Sequence, residues 1–226
     1  MIRRDYLLRM VEQCVQALAR GLRLTQEREF AAARGELDQG MRDLADLDLE
    51  QVSRLSEAEL MALLLRGEPT QVLRQKCMLL TALLRQAGDL EAAQGNAVQA
   101  RMLYLKALNL QLDVLGRETS FDFPEVVPRV EVLLSALEGE PLPLPTSAAL
   151  MQYYERLGQF AKAEDALFAM LEAQPAHAAL AEFGVQFYER LLRQLDEALV
   201  LGNLPRTEVE AGLAELKSRL GSLTPR

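Results

Sequence analysis

The chain has 226 residues, 50% of them hydrophobic and 26% charged, with 33 Asp+Glu against 25 Lys+Arg for a net charge of −8. That balance buries a real core, which excludes intrinsic disorder as the main state. The acidic sign argues against non-specific nucleic-acid binding, which needs a cationic face. No apolar run approaches the ~18 residues of a membrane span. Residues 1–6 carry charge with no unbroken apolar stretch behind them, unlike a signal peptide. Cys14 and Cys77 cannot form a disulfide framework, so a cytoplasmic protein without a membrane role is expected.

In chain order the apolar period is helical almost throughout. Residues 3–24 put Leu7, Val11, Cys14, Leu18 and Leu22 on one stripe, widened by Tyr6, Met10 and Val15. So much apolar area predicts a helix covered on two sides. A second helix is expected at 27–46 through Phe30, Ala33, Leu37, Met41 and Leu44. Ser56 to Glu59 is a capping-box pattern opening a short helix that Gly67 closes. Helices over 70–88 and 97–115 follow, with Gly95 turning between them and Asn96 capping the second. An irregular bridge at 121–124 leads to a short helix through Val130 and Leu137. Pro141, Pro143 and Pro145 then predict an extended linker. Beyond it, Thr146 or Ser147 is expected to cap a helix to Leu157, with further helices at 160–173, 176–201 and 207–220.

Self-comparison shows a repeat. Leu150, Met151, Tyr154, Gly158, Phe160, Ala163, Leu167, Met170 and Pro175 resemble the tetratricopeptide pattern of two antiparallel helices. The pattern has a turn Gly, a small residue at the helix crossing and a closing Pro. Leu84, Gly88, Gly95, Ala100, Tyr104 and Ala107 form a second copy; Ala17, Gly21, Leu24, Phe30, Ala33, Leu37 and Gly40 form a fainter third. That third copy has Arg28 where the turn Gly belongs, and neither N-terminal copy has the closing Pro. The opening MIRRDYLLRM, with Gln94-Gly95-Asn96, Leu103 to Leu108 and Gly158 to Asp165, is also similar to a bacterial family of small helical proteins of unknown function. That resemblance spans nearly the whole chain and implies a fold, with no activity and no functional residue.

Tests for catalytic or metal chemistry return little. The sole histidine, His177, has no positioned partner and reads as a helix-start surface residue. Cys14 and Cys77 lie in apolar stripes, without Cys-x-x-Cys spacing, and read as buried structural thiols. No Glu-x-x-His exists for a di-iron site. Asp43, Asp46 and Asp48 lack the glycine and spacing of a calcium loop and read as a solvated acidic turn. Gly35 and Gly40 follow no strand, so they make no phosphate loop. Arg3, Arg4 and Arg9, with Tyr6 between, read as a snorkelling amphipathic surface.

In tetratricopeptide arrays the first helix of each hairpin lines the concave face. Here that resemblance points to Arg85 and Asp89 in one unit and to Gln152, Glu155 and Arg156 in another. Arg85 and Arg156 could grip a carboxylate bidentately, whereas the Lys/Asn carboxylate clamp of chaperone-binding members is not recognisable. The reading is therefore an all-α protein of antiparallel helical hairpins in a tetratricopeptide-like, irregular right-handed array. It forms one domain over 1–222, with the Pro-rich linker at 140–146 between an N-terminal portion (1–139) and a C-terminal portion (147–222). It is expected to be a non-catalytic interaction or scaffolding module with a protein or peptide partner. No cofactor, metal, nucleic acid or membrane is expected, and the wide stripe of the first helix leaves room for a homodimer. Two alternatives stay open: a small-molecule sensor or cryptic enzyme with a ligand between helices, and a structural self-assembly subunit.

Overall fold

The helical period of the sequence is the period of the structure. The computed structural model describes residues 2–64, 70–117 and 125–223, and among them lie twelve α-helices, packed as adjacent antiparallel pairs, and no strand. The chain forms two compact units, Met1–Pro141 and Leu142–Arg226. No helix among the described residues is long and apolar enough to cross a membrane.

In the first unit, α1 (Ile2–Gln26) pairs with α2 (Phe30–Ala45), and α5 (Thr70–Ala93) with α6 (Ala97–Arg117). Both members of the first pair also pack on α5. Short helices α3 (Leu49–Arg54) and α4 (Glu57–Leu64) join the pairs, and α7 (Val130–Ala136) packs on α6. Leu79, Leu80, Leu83, Leu84, Ala87 and Leu90 of α5 are all buried, and over that stretch only Arg85 and Asp89 are partly exposed. Each such leucine contributes on the order of 2 kcal/mol of burial. In the second unit, α8 (Leu144–Arg156) pairs with α9 (Phe160–Ala173), and α10 (Ala178–Leu191) with α12 (Arg206–Leu223), while α11 (Asp196–Leu201) bridges the latter two. Its core is Met151, Ala163, Leu167, Phe187, Tyr188, Leu191, Val209 and Leu216.

Four helix ends share one device. Arg28, Gly95, Gly158 and Asn203 all have positive φ. Each donates its amide three residues back, and the next residue donates five back: Glu29 to Leu24 O, Asn96 to Glu91 O, Gln159 to Tyr154 O, Leu204 to Leu199 O. This is the Schellman closure, which satisfies carbonyls the helix leaves open. The first hairpin thus makes the turn of the others without their glycine, and Arg28 stands at φ 61°. An L-residue there carries about 1 kcal/mol of steric penalty, so Arg28→Gly should raise stability by about that much in urea denaturation, with an unchanged m-value.

A second device sits at helix crossings. A Cβ on Gly88 would lie 2.4 Å from the Tyr104 ring, and one on Gly212 would lie 2.3 Å from the ring of Tyr188. In both cases glycine lets an aromatic ring seat directly on a neighbouring helix backbone. This is why Gly88 stays inside a helix that runs on to Ala93, beyond the expected end at 88.

Several expectations are corrected by tertiary chemistry. The Pro-rich segment yields to α8 at Leu144, with Pro143 before it and Pro145 in its first turn. Proline suits that position because first-turn amides need no intrahelical partner. Thr146 and Ser147 lie within the helix and are buried rather than capping it. The helix expected over 176–201 breaks between Leu191 and Asp196. There Arg206 donates to the carbonyls of Leu192 (3.1 Å) and Gln194 (2.8 Å) and pairs with Asp196. Those bonds replace the ones the break gives up. Helix α3 was not expected; its capping box runs between Asp48 and Gln51. The Ser56–Glu59 box forms as read, with Ser56 N–H donating to Glu59 Oε2 at 2.8 Å. Asn96 stands just before α6, its carbonyl accepting from Ala100 N–H at 2.9 Å, and its side-chain amide donates to Glu91 Oε2 at 2.7 Å.

Helix α1 turns a narrower face inward than its stripe suggests. Met10, Cys14, Ala17 and Leu18 are buried, whereas Leu8, Val15 and Leu22 are about half exposed. The closing Gly67, the bridge at 121–124 and the side chains of Arg3, Arg4, Tyr6 and Leu7 lie outside the described residues.

Candidate functional site

Helices α8, α10 and α11 and the α8–α9 turn enclose an open cleft of about 860 Å³ in the second unit. Three of the residues singled out from sequence, Gln152, Glu155 and Arg156, line it from α8. Leu157 and Gly158 come from the turn and Phe160 from the start of α9. The opposite wall is Phe183, Gln186 and Arg190 of α10, with Gln194 and Ala198 beyond its end.

The steps of three and four between Phe183, Gln186 and Arg190 put them on one face of α10. That regularity is present in the sequence, but only the packing of α10 beside α8 turns it into a cleft wall. The walls are tied together by a bidentate ion pair. Arg190 Nε donates to Glu155 Oε1 at 2.7 Å, and its Nη2 donates to Oε2 at 2.8 Å. This fork geometry is the strong form of the Arg–carboxylate contact. The Glu155 bond holds the Arg190 guanidinium above its already high ordinary pKa, against partial burial. Glu155 is therefore committed to its neighbour helix, while Gln152 and Arg156 face solvent at the rim.

Gly158 and Phe160, which line the cleft, are also held by a close backbone contact. A Cβ on Gly202, the residue closing α11, would fall 2.5 Å from the Gly158 carbonyl and 2.3 Å from the Phe160 ring. Ala161 N–H donates to the Gly202 carbonyl at 3.0 Å. Two turns thus lie directly against each other, with no side chain between them.

Arg85 and Asp89, also singled out from sequence, lie one turn apart on α5 of the first unit. Arg85 Nε approaches Asp89 Oδ2 at 3.0 Å, without the alignment of a hydrogen bond. The Tyr104 hydroxyl donates to Asp89 Oδ1 at 2.9 Å. Burial pushes the Asp89 carboxyl up, and Arg85 and the Tyr104 bond pull it back. These side chains belong to the Gly88–Tyr104 crossing. The second unit repeats the arrangement: Tyr188 donates to Glu164 Oε1 at 2.6 Å. Burial raises the Glu164 carboxyl, the Tyr188 bond opposes it, and Glu208, Asp165 and Glu215 add to the rise.

The remaining chemical candidates have local structural roles. His177 is the N-cap of α10, its Nδ1 accepting from Leu180 N–H at 3.2 Å. Cys14 and Cys77 are buried, and burial pushes the Cys14 thiol up to about 12. Asp46 closes α2 with positive φ, Asp48 caps α3, and Asp43 accepts from Gln39 at 2.7 Å. No group of three or more His, Cys, Asp or Glu among the described residues is placed to hold a metal ion.

The model of a family described as a family of unknown function (DUF6483) matches residues 1–221. No curated protein and no solved structure matches.

Proposed function

The chain belongs to this family of unknown function, which assigns no activity, and from the cleft we propose a protein-interaction module. In this reading the hairpins are of the tetratricopeptide kind, and the second unit captures a peptide segment of a partner without catalysis. The observation that carries it is the open cleft between α8 and α10, braced by the Glu155–Arg190 pair. Three glutamines line it, and a glutamine amide both donates to and accepts from a peptide backbone. Phe183 and Leu157 supply apolar contact, and the rigid helices limit the entropy lost on binding.

Selection from a random peptide display library tests this. Peptides enriched on the full-length chain should bind about ten-fold or more weakly to Arg156→Glu and to Phe183→Asp, while Arg85→Glu in the first unit leaves binding unchanged. If nothing is enriched, or binding ignores the cleft substitutions, the reading fails. A second reading, self-association, is favoured by Leu8, Val15 and Leu22, which recur at seven-residue steps on the open face of α1. Sedimentation that stays monomeric at tens of micromolar removes it.

A further inference from the structure

We infer that the crossing of α9, α10 and α12 in the second unit is a proton-sensitive clamp, built on Glu164 and Tyr188, that tightens as pH falls and loosens as it rises. It does not depend on what the cleft binds.

The geometry comes first. Tyr188 of α10 is buried, and its hydroxyl donates to Glu164 Oε1 of α9 at 2.6 Å. That hydroxyl rests on the backbone of α12 at Gly212, where a Cβ would overlap it. Glu208 and Glu215 stand one helical turn before and one after Gly212, so they share its face of α12 and flank the contact from either side. Asp165 follows Glu164 on α9. Three helices thus meet at one hydroxyl–carboxyl bond with further carboxylates around it.

Among the described residues no cation pairs with Glu164. The five basic residues of α9, α10 and α12 are Lys162, Arg190, Arg206, Lys217 and Arg219, and each is engaged elsewhere. Lys162 lies over the Tyr154 ring, Arg190 binds Glu155, and Lys217 pairs with Glu189 at 3.0 Å. Arg206 and Arg219 cover backbone carbonyls. Helix α8, which also packs on α9, puts Glu155 and Arg156 into the cleft lining. The first unit makes the same kind of tyrosine–carboxylate bond with a cation beside it, since Arg85 Nε is 3.0 Å from Asp89 Oδ2. The second unit has the bond without the cation.

Burial raises the Glu164 carboxyl, and Glu208, Asp165 and Glu215 raise it further against the Tyr188 bond. Burial also holds the Tyr188 hydroxyl well above the ordinary tyrosine value, so it stays a donor while Glu164 titrates. A carboxyl whose folded pKa exceeds its unfolded one adds stability that is complete below the ordinary glutamate range and is lost as pH rises through the raised value. Protonated Glu164 still accepts from Tyr188 and no longer repels Glu208 and Glu215. Tyr188 shares α10 with Phe183, Gln186 and Arg190 of the cleft wall, so the proton steadies the helix that frames the cleft.

The test follows the Glu164 side-chain carboxyl by carbon-13 NMR in the full-length chain, its resonance identified by its loss in Glu164→Gln. The titration midpoint should lie above the ordinary glutamate range. It should fall toward that range when Glu208→Gln and Glu215→Gln, both at exposed positions, are combined. In urea the Glu164→Gln protein should have the higher denaturation midpoint at about pH 8, and that excess should shrink as the pH is lowered toward about 5. A Glu164 titration midpoint within or below the ordinary range, or a Glu164→Gln excess that does not change with pH, overturns the inference. A raised titration midpoint that the double substitution does not move shows burial acting without α12 and overturns a three-helix clamp.

Discussion

Gly202→Ala is expected to lower the stability of the protein by about 3 kcal/mol, the upper part of the range for overpacking. The added Cβ would lie 2.5 Å from the Gly158 carbonyl oxygen, a backbone atom that cannot rotate away as a side chain can. The turn cannot simply lift, because the Ala161 amide bonds to the Gly202 carbonyl at 3.0 Å. The backbone conformation of Gly202 is itself ordinary, with φ −78°, so the effect is contact and not torsion. Urea denaturation measures it, and two further glycines calibrate it. Gly158→Ala carries only the positive-φ penalty of about 1 kcal/mol, since nothing lies within 4 Å of its Cβ. Gly35→Ala, in open space on α2, should stabilise by about 1 kcal/mol. Equal losses at positions 158 and 202 would show that the two turns do not pack as described. Because Gly158, Phe160 and Ala198 line the cleft, Gly202→Ala should also weaken any cleft ligand.

Lys106→Met is expected to cost about 3 kcal/mol. Lys106 is 7% exposed, and its ammonium donates to the carbonyls of Val52 (2.9 Å), Ser53 (2.8 Å) and Leu55. One cation from α6 thus closes the C-terminal end of α3, where carbonyls lack helical partners. Burial pulls the Lys106 pKa down from the ordinary lysine value, and Glu57 and Glu59 at the start of α4 oppose that. Methionine keeps the volume of the stem and removes the ammonium, so the loss reports the charge-assisted bonds. Hydrogen exchange should localise it, with the amides of α3 and α4 opening faster and those of α9 unchanged. Uniform acceleration across both units would contradict this local role.

Arg101, Arg206 and Arg219 act as Lys106 does. Arg101 donates to the carbonyls of Leu137, Glu140 and Pro141, and Arg219 to those of Leu171 and Pro175. Four basic side chains of this acidic chain thus cover backbone carbonyls at or just beyond helix ends.

What the sequence determined by itself is whatever lies within one or two helical turns: the all-helical class, the Gly95 and Gly158 turns, the Ser56–Glu59 box, and Gln152 and Arg156 on one face of a helix. Such features rest on bonds between residues three to five apart, so their chemistry is visible in a short window. Tertiary structure decided the rest. Arg28 adopts a glycine's conformation because the α1–α2 pairing outweighs a local penalty of about 1 kcal/mol. The break after Leu191 is stabilised by Arg206, twelve to fourteen residues away from the carbonyls it covers. Glu155 meets Arg190 across 35 residues of chain. The cleft exists only once α8, α10 and α11 are packed. A helix specifies its own period, but which of its faces meets a neighbour depends on residues far along the chain.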